Sequence, residues 1–145
     1  MTEDDPCNLE RFVTAQAPVF ETVLAELRES RKRSHWMWFI FPQLAGLGRS
    51  STARFYGISG LNEARAYLAH RLLGPRLDLC TKIVLASERP SLHAIFGSPD
   101  DLKFLSCMTL FSLIANDPDN LFHQALDRWC HGQPDERTLT LIKAR

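Results

Sequence analysis

With 145 residues, seventeen basic and seventeen acidic, the chain carries a formal net charge of zero, which excludes the global basic field of a typical nucleic-acid binder. Its 45% hydrophobic and 23% charged residues are those of an ordinary globular domain, and no apolar run approaches the ~20 residues that a membrane helix requires. One domain over 1–145 is expected, with 1–7 a flexible N-terminal segment, and it can bury roughly two-thirds of the surface its unfolded form exposes.

Residues 1–5 are acidic and polar and lack the positive start and apolar stretch of a signal peptide, so the expected location is cytoplasmic. Cys7, Cys80, Cys107 and Cys130 stand far apart without a C-x-x-C pair, which argues against a compact zinc site or a thioredoxin-like motif and for free thiols. Cys80 and Cys107 fall in apolar helical patterns and should pack as small hydrophobes.

Asn8 is placed to cap a short helix from Leu9, and Pro18 suits the first turn of a second. In that second helix Val19, Phe20, Val23, Leu24 and Leu27 form one stripe, leaving Glu21, Glu26 and Arg28 to face water. Arg28, Arg31, Lys32 and Arg33 crowd its C-terminal end, where positive charge complements the helix dipole.

Residues 35–41 are too apolar for a surface loop and are ended by Pro42, which predicts a buried short helix or an extended plug. Enclosed there, the indole N–H groups of Trp36 and Trp38 would need acceptors. Gly46-Leu47-Gly48 reads as a loop, after which Ser50 or Ser51 can cap a short helix through Tyr56.

Further helices follow from Leu61, Ala64, Tyr67 and Leu68, and, beyond the punctuation of Gly74-Pro75, from Leu77, Cys80, Ile83 and Val84. Ser91 caps a brief helix that stops at Gly97, and Ser98-Pro99-Asp100-Asp101 is a start signal for a central one containing Phe104, Met108 and Phe111. Leu121, Phe122, Ala125, Leu126 and Trp129 form the next stripe, and a last helix starts near Asp135. No strand alternation is evident, so the fold class is all-α: a compact bundle of about seven to nine short and medium helices.

The run Ser34-His35-Trp36-Met37-Trp38-Phe39-Ile40-Phe41-Pro42-Gln43-Leu44, followed by Gly46-Leu47-Gly48, resembles a bacterial family of unknown function, number eighteen-ten in the domain-of-unknown-function series. Leu73-Gly74-Pro75-Arg76-Leu77, Ile95-Phe96-Gly97, Asp100 with Lys103, and Met108-Thr109-Leu110-Phe111 extend the resemblance over nearly the whole chain. It implies a compact all-helical single domain and no established activity. Several members carry the label "calpastatin", which this apolar chain does not fit, since a disordered inhibitor needs low hydrophobicity and excess charge.

From the residues themselves, an anion or nucleotide pocket can be built from Arg33, Gly46, Gly48, Arg49, Ser50, Ser51 and Arg54. Loop and helix-start N–H groups would point at phosphate, arginine would offer a bidentate fork, and tryptophan a stacking face. The spacing matches neither a P-loop nor a Rossmann glycine motif, and the competing reading gives Gly46 and Gly48 a tight turn and the arginines carbonyl or acid partners. His35 and Asp100 are the candidate general acid or base residues, against packing for one and helix-start capping for the other.

His70, His93, His123 and His131 form no metal-binding spacing, and neither a metal nor a cofactor is implied. The reading that follows is a cytoplasmic protein binding a phosphate-bearing small molecule, nucleotide or ADP-ribose-like, with hydrolysis as a reaction such a site can support. The alternative is a non-catalytic protein-interaction or scaffold module using the 36–41 block or the face of Trp129.

Overall fold

The computed structural model describes residues 5–144, and among them ten helices are formed. In order they are α1 (Glu10–Gln16), α2 (Phe20–Arg28), α3 (Met37–Ile40), α4 (Ser51–Phe55), α5 (Leu61–Ala69), α6 (Leu73–Leu85), α7 (Leu92–Phe96), α8 (Asp100–Ser112), α9 (Leu121–Cys130) and α10 (Glu136–Lys143). The all-α expectation holds. The count exceeds seven to nine because one-turn elements such as α3 and α4 are helices in their own right. The described residues hold no strand, only an isolated parallel bridge between Leu44 and Ile58.

α5, α7, α9 and α10 pack on α8. Phe104 and Phe111, seven residues apart, return to the same face after two turns and are both fully buried. Phe104 meets Phe41 with ring centroids 5.0 Å apart and Phe96 at 5.2 Å, while Phe111 meets Tyr67 at 5.5 Å and Phe122 at 5.7 Å. One helix thus ties α3's exit, α7, α5 and α9 into a single core. Cys80 and Cys107 are buried in it, and burial pushes the Cys80 thiol up to about 12 and Cys107 well above the ordinary range, which makes both inert as nucleophiles.

Local signals are corrected at several starts. Asn8 does not cap α1: its φ is 53°, and the Asp5 carboxylate accepts from the N–H groups of Leu9 at 2.6 Å and Glu10 at 2.9 Å instead. Of the segment expected to be flexible, residues 1–4 lie outside the described residues, while Asp5 and the Cys7 carbonyl, which accepts from Arg11, are engaged. Gly74 and Pro75 lie inside the first turn of α6 rather than before it, where proline's missing N–H costs nothing. A Cβ at position 74 would stand 2.1 Å from the Leu68 carbonyl oxygen, so glycine is what lets α6 follow so closely on α5.

The largest departure is Glu26, expected to face water and only 4% exposed. Its carboxylate accepts from the N–H of Arg33 at 2.8 Å, the N–H of Ser34 at 3.1 Å, the Ser34 hydroxyl, and the Trp36 indole N–H at 3.0 Å. Burial alone would raise this carboxyl, and those donors, Ser34 foremost, hold it down at about 2 against an ordinary 4.5. Arg11 is a second inward-turned charge. It donates to the carbonyls of Cys7, Asn8, Phe55 and Gly57 and pairs with buried Glu63 at 2.7 Å, clasping α1 to the segment after α4.

A carboxyl depressed on folding stabilises the native state above its unfolded value and ceases to do so as pH falls. Glu26 should therefore contribute up to roughly 3 kcal/mol at neutral pH. That contribution disappears as the pH drops from near 4.5 to about 2. Urea unfolding of the wild type and Glu26→Gln across that window checks it; identical pH slopes would refute it. Trp36, 1% exposed, should cost about 3–5 kcal/mol on conversion to alanine, whereas half-buried Trp38 should cost about 1 kcal/mol.

Candidate functional site

Because Glu26 turns Trp36 inward, Trp38, two residues and roughly 200° farther round the α3 turn, is directed to the other side. There it walls a cleft of about 260 Å³ together with the 47–50 loop, the first turns of α8 and the start of α10. Three cations line it: Arg49 from the loop, Lys103 from α8 and Arg137 from α10. No acidic residue or histidine is among its lining residues.

Each cation is held differently. The Lys103 ammonium lies 5.0 Å from the Trp38 ring centroid and 3.6 Å from Asp100 Oδ1. Asp100 Oδ2 is meanwhile bound at 2.8 Å by Lys32, whose ammonium also donates to the Ser34 carbonyl at 2.5 Å and lies 5.0 Å from the Trp36 ring centroid. Arg137 donates to the Leu47 carbonyl at 3.1 Å and so spans the cleft mouth from α10 to the loop. Arg49 is exposed and forms no ion pair among the described residues.

Asp135 fixes α10 in this position. Its carboxylate accepts from the Thr138 N–H at 3.1 Å, the Thr138 hydroxyl at 2.5 Å and the Ser106 hydroxyl at 3.1 Å, while its own N–H donates to Thr109 Oγ1 at 2.8 Å. The helix carrying Arg137 is therefore capped and joined to α8 by the same carboxylate.

Of the residues singled out in the sequence, Gly48, Arg49 and Ser50 line the cleft. Gly46, Ser51, Arg54, Arg33 and His35 do not. Arg33 pairs with Glu29, four residues earlier in the turn that follows α2, and His35 is exposed. Gly48 is required by packing: a Cβ there would lie 2.4 Å from that of Ala53. Ser50 accepts from the Ala53 N–H at 3.0 Å and so caps α4. Asp100 does not line the cleft but is engaged by two lysines, one of which, Lys103, does. No group of three or more His, Cys, Asp or Glu is placed to hold a metal ion among the described residues.

Arg137 and Asp135 were missed as site residues. The signal was present: an arginine in a helix's first turn opposes the helix dipole, so an unpaired one there asks for another partner. Larger depressions exist, notably one of about 750 Å³ beside α5, α6 and the α8–α9 turn, but Arg65, Asp78 and Asp117 give its rim mixed charge.

The family described as "Protein of unknown function (DUF1810)" matches residues 6–142. The chain belongs to this family. The crystal structure of a conserved hypothetical protein, Rv1873 from Mycobacterium tuberculosis, is 53% identical and superposes with a TM-score of 0.93, over 96% of this chain and 99% of that one. No curated protein matches. Neither the family's description nor that of Rv1873 names a ligand or reaction, so the chemistry must be read from the cleft walls.

Asp135→Ala should lower stability by about 1–2 kcal/mol through loss of the cap. Amide exchange should accelerate over α10 more than over α8 or α9. Uniform acceleration across all three helices would mean that Asp135 does not specifically secure α10.

Proposed function

We propose that the cleft beside Trp38 binds a phosphate-bearing small molecule of the nucleotide or ADP-ribose class. The observation that carries this reading is the gathering of Arg49, Lys103 and Arg137 around one concavity that no carboxylate lines, in a chain of zero net charge. Guanidinium groups suit phosphate because their planar N–H forks match two of its oxygens, and a lysine adds a mobile point charge. Trp38 supplies an aromatic wall for the organic part of the ligand.

Binding is the half of the earlier reading that the walls support. Hydrolysis would require a base at the ligand, and His35 and Asp100 do not line the cleft. Of the two surfaces open to an interaction module, the 36–41 block is largely enclosed, with Trp36, Met37, Ile40 and Phe41 each no more than 2% exposed, while Trp129 is half-buried. The exposed large hydrophobics are Phe55 on α4, Leu72 and Leu79 at the N-cap and in the body of α6, and Leu102 and Leu113 in the body and at the C-cap of α8. A cytoplasmic location remains part of the proposal, in keeping with four free cysteines, and no helix among the described residues is long and apolar enough to cross a membrane.

A thermal-shift screen with inorganic phosphate, pyrophosphate, nucleotides and ADP-ribose tests the reading, because a ligand selective for the native state raises apparent stability. At least one phosphate-bearing compound should raise Tm. Arg49→Ala and Arg137→Ala should each weaken its binding about tenfold or more with little effect on the unliganded Tm. Absence of any shift at millimolar concentrations, or binding unchanged in both variants, would overturn the assignment.

A further inference from the structure

The phosphate reading leaves one cation misplaced for a simple anion hole: Lys103 rests on the ring of Trp38 rather than pointing its charge freely into the cleft. Resting on that reading, we propose that Lys103 is an exchangeable cover on Trp38, and that the cleft selects a mononucleotide whose phosphate draws Lys103 away and whose base takes the uncovered indole face.

Three observations carry this. First, Asp100 is shared unequally, with Lys32 at 2.8 Å and Lys103 at 3.6 Å. The Lys32 side chain is only 6% exposed and is further fixed by the Ser34 carbonyl and the Trp36 ring, whereas that of Lys103 is 23% exposed. If Lys103 departs, Asp100 keeps its shorter and more enclosed partner, so no carboxylate is stranded.

Second, the contacts that Lys103 now makes are replaceable. A cation over an accessible ring and a longer ion pair are both weak beside a charge-assisted hydrogen bond to phosphate, and the flexible lysine stem allows the ammonium to swing. Inorganic phosphate can recruit Lys103 but leaves the indole bare. A nucleoside can cover the indole only by displacing a cation to which it offers no anion in return. A ligand carrying both groups gains both contacts and loses neither, so its binding exceeds what its parts predict.

Third, the cleft of about 260 Å³ falls just below the usual range of ligand pockets, about 300 to 1,000 Å³. One base, one ribose and one phosphate group are what such a space can enclose. The second sugar of an ADP-ribose-sized ligand would remain outside and add little.

Calorimetry on the full chain with inorganic phosphate, adenosine, adenosine monophosphate and ADP-ribose separates the possibilities. The monophosphate should bind about ten- to a hundred-fold more tightly than inorganic phosphate, the stacked base supplying the difference. Adenosine should be the weakest of the four. ADP-ribose should stay within about threefold of the monophosphate. Trp38→Ala should reduce the monophosphate to the affinity of phosphate, while Trp38→Phe, which keeps an aromatic face, retains most of the advantage. Lys103→Gln should weaken phosphate yet strengthen adenosine, a reversal that a merely structural lysine would not produce.

Phosphate binding with no advantage for the monophosphate, an advantage that survives Trp38→Ala, or ADP-ribose binding more than tenfold tighter than the monophosphate would each overturn this inference while leaving the phosphate site intact. No binding by any of the phosphate compounds would overturn both.

Discussion

A buried carboxylate, Glu26, is the constraint on which the N-terminal half of the molecule depends. It sits in the last turn of α2, where the chain must reverse, and it satisfies two backbone N–H groups and two side-chain donors of the segment that follows. A loop leaving a helix ordinarily finds water for such donors. Here the segment folds back over the buried carboxylate, and an unpaired N–H facing it would cost as much as a lost hydrogen bond. By taking the Trp36 indole N–H as well, Glu26 decides which tryptophan is enclosed and which is left to form a wall.

The electrostatic consequences run outward from that point. Lys32, brought to the core edge by the same turn, donates to the Ser34 carbonyl and pairs with Asp100 at the start of α8. Asp100 in turn touches Lys103, and Lys103 touches Trp38. The sequence of groups from Trp36 through two lysines and one aspartate to Trp38 alternates ring, cation, anion, cation, ring. Its inner half is enclosed and fixed, while its outer half opens to solvent. A local site can therefore be mobile at its surface without loosening the core that presents it.

Helix positions were readable because apolar periodicity is a property of short windows: α2, α5, α8 and α9 follow directly from their stripes. The inward charges were not readable for the opposite reason. Glu26 and Glu21 both lie between apolar positions of one helix, and what separates them is whether a chain seven to ten residues away returns with donors. Arg11 is similar, since its partners Phe55, Gly57 and Glu63 lie 44–52 residues distant. The glycine loop was legible as a loop but not as to cause: Gly48 is explained by Ala53 against it, a contact that only the folded chain supplies. Arg137 lies far outside the 33–54 run whose residues suggest an anion pocket, and the cleft draws its third cation from the far end of the chain.

A neutral protein can create a positive pocket only by separating its charges, and the distribution of carboxylates accounts for how this one does so. Glu26, Glu63, Asp100 and Asp135 are all committed to internal donors. Other acids stand at the opposite end of α8, where Asp78 and Asp117 border the larger depression beside Ile114 and Ala115. Arg49 and Arg137 are left without carboxylate partners among the described residues, on the side of α8's first turns. The α8 dipole runs in the same sense, positive at its start, although Asp100 and Asp101 in the first turn offset part of it. The separation sets the sign of the cleft without requiring any excess of basic residues, so a zero net charge, which excludes a global basic field, leaves room for a local positive one.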